Sequence, residues 1–246
     1  GVQTCALPIY VVATIKVGRR PRGVELNKDG SELYICAGDD DAIQVLDAKA
    51  QKIIGKLPSG PDPELLTLSP DGETIYVSNE NDNLVTLIDI KRKDQIGDIP
   101  VGVEPEGMAI SPDGKLLVNT SETTNMAHII DTKTKTIIAN ILVDNRPRFA
   151  TFKHDGSELW VSSEVGGTVS VIDPEKKTIK QKISFDIPGL SKEAIQPIGV
   201  SITRDGAHAF VALGPANRVA VINAQTKEVE KYLLVGQRVW HLAFTP

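Results

Sequence analysis

The sequence predicts an all-β fold, a β-propeller of four-stranded blades, and three series of residues in a common register predict it. Asp-Gly pairs recur at Asp29-Gly30, Asp71-Gly72, Asp113-Gly114, Asp155-Gly156 and Asp205-Gly206. A second series, Asp47, Asp89, Asp131, Asp173 and Asn223, closes an apolar run in each unit, and both series advance by 42, 42, 42 and 50 residues. Prolines fall in step with them at Pro21, Pro63, Pro105, Pro147 and Pro197. A repeat in the forties with strand composition marks a propeller blade, a unit that buries its faces only against its neighbours.

Each element of the repeat has a physical reason. In the second unit, Leu65 to Leu68 reads as strand a, Thr74 to Ser78 as strand b, Leu84 to Asp89 as strand c and Gln95 to Val101 as strand d. The runs are short, rich in Val, Ile and Leu, and bounded by Gly, Pro, Asn and Asp, which favours buried strands over helices. The Asp-Gly pair tolerates positive φ, so the chain reverses tightly between a and b. Proline has no N–H to give to a ladder and marks the start of strand a. An aromatic slot in strand b holds Tyr34, Tyr76, Trp160 and Phe210, with Val118 in the remaining unit, and reads as packing between blades. Cys36 occupies a strand b slot that elsewhere holds Ser78, Thr120, Ser162 and Ala212, where a small side chain is wanted.

The ends depart from the register. The stretch Gly1 to Ile9 fits no blade and reads as a non-native leader, leaving residues 10–246 as one propeller domain truncated at its C-terminus. The expectation is five complete blades, a lone strand d over Tyr10 to Val17 and a lone strand a over Leu242 to Phe244, a fragment of a larger ring. After the fourth blade the interval from Ile183 to Pro197 is 14 residues, against 6 from Ile141 to Pro147. The insert, Ser184 to Ser191, carries Phe185, Ile187 and Leu190, which suit a loop packed onto its own blade or folded over one end of the channel.

A net charge of −5 offers no general attraction to nucleic acid, and no segment is long and apolar enough to span a membrane. Two cysteines, Cys5 and Cys36, make neither a disulfide framework nor a zinc cluster. The histidines, His128, His154, His208 and His241, fall on different parts of the blades, so no catalytic constellation emerges. Val165-Gly166-Gly167 is a turn between strands, not a phosphate loop.

Segments such as Leu68-Ser69-Pro70-Asp71-Gly72, Ile75-Tyr76-Val77-Ser78-Asn79 and Leu84-Val85-Thr86-Leu87-Ile88-Asp89 resemble the repeats of YVTN-type β-propeller proteins. More narrowly, Gly60-Pro61-Asp62-Pro63-Glu64, the run Val101 to Met108, the run Asn119 to Met126 and the run Leu213 to Arg218 resemble the PQQ-dependent catabolism-associated β-propeller proteins. That resemblance implies a seven-bladed ring exported to the periplasm, a partner among quinoprotein dehydrogenases or other periplasmic proteins, and PQQ only by association with the pathway. With Trp160 and Trp240 alone, the chain lacks the repeated tryptophans of the quinoproteins themselves.

Loops on a rigid scaffold are the usual carriers of function, and the face bearing the d-to-a and b-to-c connections is the chemically richer one. Directly after each proline come Arg22, Glu64, Glu106, Arg148 and Ile198, with Trp240 and then His241 in the partial last unit. Glu80, Glu122 and Glu164 share one b-to-c slot that is glycine at Gly38 and Gly214. Asp62 and Glu104 extend the acidic arc, and Arg20, Arg146 and Arg218 add guanidiniums suited to a small anionic ligand. Two readings compete: a ligand-binding channel mouth, or charges that pair with one another. The leading function is a non-catalytic binding or scaffolding propeller. A metal-assisted lactonase would need converging carboxylates around an ion, and single-strand nucleic-acid binding would need a basic groove with stacking aromatics.

Overall fold

The computed structural model describes residues 11–244. Blade 1 comprises β1 (Pro21–Leu26), β2 (Glu32–Ala37), β3 (Ala42–Asp47) and β4 (Lys52–Pro58), and blade 2 comprises β5 (Pro63–Leu68), β6 (Thr74–Asn79), β7 (Leu84–Asp89) and β8 (Asp94–Pro100). Blade 3 continues with β9 (Pro105–Ile110), β10 (Leu116–Ser121), β11 (Met126–Asp131) and β12 (Thr136–Leu142). Blade 4 is β13 (Pro147–Phe152), β14 (Leu159–Ser163), β15 (Thr168–Asp173) and β16 (Thr178–Ser184). Blade 5 is β17 (Pro197–Ile202), β18 (His208–Leu213), β19 (Arg218–Asn223) and β20 (Val229–Leu234). Each blade is an antiparallel sheet in simple chain order, and the inner strands β1, β5, β9, β13 and β17 neighbour one another in sequence around the axis. The result is an all-β, five-bladed propeller.

The repeated residues do what their chemistry dictates. At each a-to-b turn glycine takes a left-handed φ of 67–76°. The aspartate before it accepts the N–H two residues on: Ser31, Glu73, Lys115, Ser157 and Ala207 donate at 2.9–3.1 Å. At the c-to-d turn, Asp47, Asp89, Asp131, Asp173 and Asn223 accept from the N–H three residues on at 2.7–3.0 Å. Both series are therefore turn formers that satisfy backbone donors a ladder cannot reach.

Between blades, Tyr34, Tyr76, Val118 and Trp160 are buried, as the aromatic slot predicts, whereas Phe210 is half-buried against Phe244 at 5.5 Å between ring centroids. Trp160 is anchored further: its indole donates to Glu158 at 3.1 Å, and Lys227 pairs with the same carboxylate at 2.6 Å above the ring. Cys36 is free and buried, and burial pushes its thiol well above the ordinary range. In its slot Ser78 and Ser162 donate to the carbonyls of Glu106 and Ile198 on the next blade, at 2.7 and 2.5 Å. The insert after blade 4 packs down: Phe185, Ile187 and Ile195 join the core shared by blades 4 and 5, and Tyr232 Oη accepts from Asp186 N at 3.1 Å.

Two expectations are corrected. Residues 11–17 form no strand, and Val11 and Val12 are exposed, because an outermost strand pairs only with a strand c and none adjoins this segment among the described residues. Tyr10, the leader and Cys5 lie outside the described residues. Residues 242–244 form no regular strand either, although the segment runs along β17, with Gly199 N donating to Trp240 O at 3.0 Å and Ser201 Oγ to Leu242 O at 3.0 Å.

Candidate functional site at the channel mouth

A bulge at the head of every inner strand aims side chains into the mouth. Each a–b ladder pairs the proline and then skips one or two positions, passing over Arg22 and Gly23, Glu64 and Leu65, Glu106 and Gly107, and Arg148. Such bulges redirect a side chain at the rim of a sheet. The preceding residues, Arg20, Asp62, Glu104 and Arg146, adopt left-handed φ of 47–60°. The N–H groups of Asp62, Glu104 and Arg146 are tied to Asp41, Asn83 and Asn125 at 3.0–3.1 Å. Their carbonyls in turn accept from Glu80, Glu122 and Glu164 N at 2.8–3.0 Å, which fixes the three b-to-c glutamates beside them.

The mouth is a chain of alternating charges that passes from blade to blade. Arg20 donates to Asp62 at 2.6 Å, to Glu64 at 2.5 Å and to Glu80 at 3.4 Å. Arg22 holds the other oxygen of Glu64 and reaches Glu106 at 3.4 Å. Arg148 donates to Glu164 at 2.7 Å and pairs by charge with Glu106 at 3.0 Å and with Glu122, whose buried Oε1 has no hydrogen-bond partner among the described residues. Arg146 adds Glu122 at 2.8 Å and Glu164 at 3.5 Å. The guanidinium fork suits this bridging. Glu104 stays outside the chain of ion pairs and accepts from Thr123 Oγ1.

Six carboxylates thus face four guanidiniums, and the surplus acid resides on the most buried members. Glu64 is 0% exposed and its pKa is pushed up to about 8, first by burial and then by the charge of Glu106. Glu106 is raised to about 7, again by burial, with Arg148 opposing the shift. Arg20 and Arg148 are held above the ordinary arginine value, Arg20 by its hydrogen bond to Asp62 and Arg148 by the Glu106 charge against the cost of burial. The ligand atoms of Asp62, Glu64 and Glu80 lie within 4.8 Å of one another, close enough for a metal, but the Arg20 guanidinium donates to all three and takes a cation's position.

Of the residues singled out by register, the structure brings together Arg22, Glu64, Glu80, Glu106, Glu122, Arg148 and Glu164. Trp240 joins from the C-terminal segment, its ring 5.5 Å beneath the Arg148 guanidinium, and His241 meets Phe149 edge to face at 5.2 Å. Arg218 stands apart, donating to Ala216 O at 2.7 Å. His128 does not face the mouth: it is buried in blade 3, its Nδ1 paired with Asn140 at 2.6 Å and its Nε2 accepting from Gly102 N at 3.0 Å, and burial lowers its pKa.

Register reasoning missed an alternation one residue further along. Successive inner strands carry Gly23, Leu65, Gly107, Phe149 and Gly199, and the last segment carries His241. A Cβ on Gly23 would lie 2.9 Å from Leu65 Cα, on Gly107 3.1 Å from Phe149 Cα, and on Gly199 3.0 Å from His241 Cα. Each glycine lets the next strand approach, and the bulky partner fills the channel. The regular Gly–large sequence at this interval is the signal that could have revealed it.

Among solved structures the chain is similar to hydrazine synthase of Kuenenia stuttgartiensis, with 19% identity and a TM-score of 0.68 over 94% of this chain and 92% of that one, a likeness of fold. No curated protein sequence matches. Residues 82–244, which run from blade 2 through blade 5, match the choice-of-anchor I domain. The chain therefore belongs to the choice-of-anchor I domain family.

Proposed function

We propose that this chain is a non-catalytic binding or scaffolding propeller that works outside the cytoplasm and presents its channel mouth to a partner protein. The observation that carries this is the ion-pair network of the mouth: its carboxylates and guanidiniums are engaged with one another and held by the backbone of four blades. Such a rim is rigid and polar, and its guanidiniums Arg20 and Arg146, at 39% and 46% side-chain exposure, remain open to a carboxylate from outside. Family membership supports a secreted or surface protein. The finer setting, a periplasmic partner of a quinoprotein alcohol-oxidation system, is supported by the motif resemblance of the mouth loops.

The test is affinity capture from a periplasmic extract of cells grown on alcohols, with the propeller as bait. Retention of a quinoprotein dehydrogenase by the wild type, and its loss in an Arg20→Glu/Arg146→Glu double variant, supports docking through the mouth. Capture that is indifferent to the double variant, or absent altogether, removes it. A metal-assisted hydrolase would have to expel Arg20 from between Asp62, Glu64 and Glu80, so chelator-sensitive lactone hydrolysis would favour that alternative over a scaffold.

A further inference from the structure

Below the rim the channel continues as a cavity of about 370 Å³. Its wall is largely apolar, formed by Leu65, Leu66, Met108, Phe149 and Leu242, and three ionisable side chains also line it: Glu25 of β1, which is its one carboxylic acid, Arg22 and His241. Glu25 breaks the repeat, because the same register holds Thr67, Ala109, Thr151 and Ser201 in the other blades. A long ionisable side chain therefore stands where the fold elsewhere uses small ones. Its carboxylate accepts a hydrogen bond from Leu68 N at 3.3 Å, and among the described residues no cation pairs with it. Its ionisable neighbours are committed elsewhere: Arg22 on the same strand bonds Glu64 and Glu106, and His241 meets Phe149 edge to face.

An ionised carboxylate in apolar surroundings is costly unless a counter-charge arrives. The two surplus rim carboxylates, Glu106 and Glu64, lose their protons only as pH rises through about 7 and about 8, so the rim field favours the entry of cations above neutrality. The cavity has the size and lining of a small-molecule site. We propose that the channel binds a small hydrophobic amine, its ammonium group against Glu25 and its apolar body among Leu65, Met108 and Phe149. This site is separate from rim docking and stands whether or not the rim binds a partner protein.

In the empty channel burial holds the Glu25 pKa at about 7, while burial keeps His241 below its ordinary value. The Thr67 hydroxyl of β5 and Leu68 N bond Glu25 and oppose its rise, Cys36 of β2 lies near it, and Arg22 of β1 and His241 of the last segment share its cavity wall. An ammonium ligand requires Glu25 ionised, so affinity should rise with pH.

Titration calorimetry with benzylamine, benzyl alcohol, benzoate and methylammonium tests the assignment. Benzylamine should bind roughly tenfold or more tightly at pH 8 than at pH 5.5, and at least about tenfold more tightly than the other three at pH 8. Glu25→Gln should lose that affinity and its pH dependence while keeping the wild-type circular dichroism. A second variant, Met108→Trp, leaves Glu25 intact and fills the cavity, and should abolish binding by itself. Absence of benzylamine binding, equal binding of benzyl alcohol or benzoate, equal binding of methylammonium at the rim, or benzylamine binding unchanged in either variant would overturn the assignment.

Discussion

Arg22 and Glu106 meet at 3.4 Å although 84 residues separate them, and they belong to blades 1 and 3. Neither lies on the neighbouring blade of the other, so the contact exists only because five inner strands converge on one axis. Arg148, from blade 4, closes on the same Glu106 carboxylate at 3.0 Å.

Arg148→Ala should be among the most destabilising substitutions at the mouth. It removes the guanidinium shared by Glu106, Glu122 and Glu164, all buried, and leaves uncompensated charge. Breaking a buried ion pair from one side costs about 3–5 kcal/mol. Urea unfolding should show a loss of that order, whereas Arg92→Ala, at an exposed pair, should cost under about 1 kcal/mol.

Stability should fall as pH rises from about 4.5 to about 8. Glu64 and Glu106 hold protons to about 8 and about 7 when folded, against an ordinary value of 4.5, so the folded chain binds more protons than the unfolded one in between. A raised carboxylate stabilises fully below its unfolded pKa and loses that contribution as pH climbs through the folded value. In acid the turn aspartates act oppositely: Asp113 and Asp155, lowered to about 2 chiefly by the hydroxyls of Ser111 and Ser157, lose their contribution as pH drops through that range. Thermal scans should therefore peak at about pH 4–5 and decline up to about pH 8, with a flatter decline in Glu106→Gln. A Tm still rising between pH 6 and 8.5 would contradict this.

The glycines of the channel should be intolerant, whereas Gly55 on an outer strand should not be. A Cβ on Gly107 would sit 2.6 Å from Thr120 Oγ1 and 2.9 Å from Arg148 O, so Gly107→Ala should cost about 1–3 kcal/mol. At Gly55 in β4 nothing lies within 4 Å, and Gly55→Ala should be neutral or stabilise by up to about 1 kcal/mol. Paired denaturation curves decide both.

The insert after blade 4 should behave as core. Phe185 is 4% exposed between blades 4 and 5, so Phe185→Ala should cost about 3–5 kcal/mol. Hydrogen exchange at Asp186 N, which donates to Tyr232 Oη, should be as slow as in the flanking strands. Rapid exchange there would describe a free lid instead.

Blades and turns were legible in the sequence because each demands a chemically specific residue: a glycine able to take positive φ, an acceptor two or three residues before a free N–H, a proline at a strand start. The membership of the rim was legible for the same reason, since a common register puts Glu64, Glu106 and Arg148 at one level. The pairing was not. Which oxygen of Glu64 faces Arg20 and which faces Arg22 depends on bulges and rotamers that periodicity does not encode. The strands expected at Tyr10 to Val17 and Leu242 to Phe244 failed because apolar alternation describes a side-chain pattern, while a strand also needs a partner edge. Glu25 went unnoticed as one acid among many, although its register neighbours Thr67, Ala109, Thr151 and Ser201 set it apart.

The most direct measurement is a double-mutant cycle on Arg22→Ala and Glu106→Ala, read by urea unfolding. Convergence of blades 1 and 3 on one mouth predicts a coupling energy of about 1 kcal/mol or more between residues so distant in sequence. Strict additivity of the two substitutions, within about 0.3 kcal/mol, would contradict the shared rim.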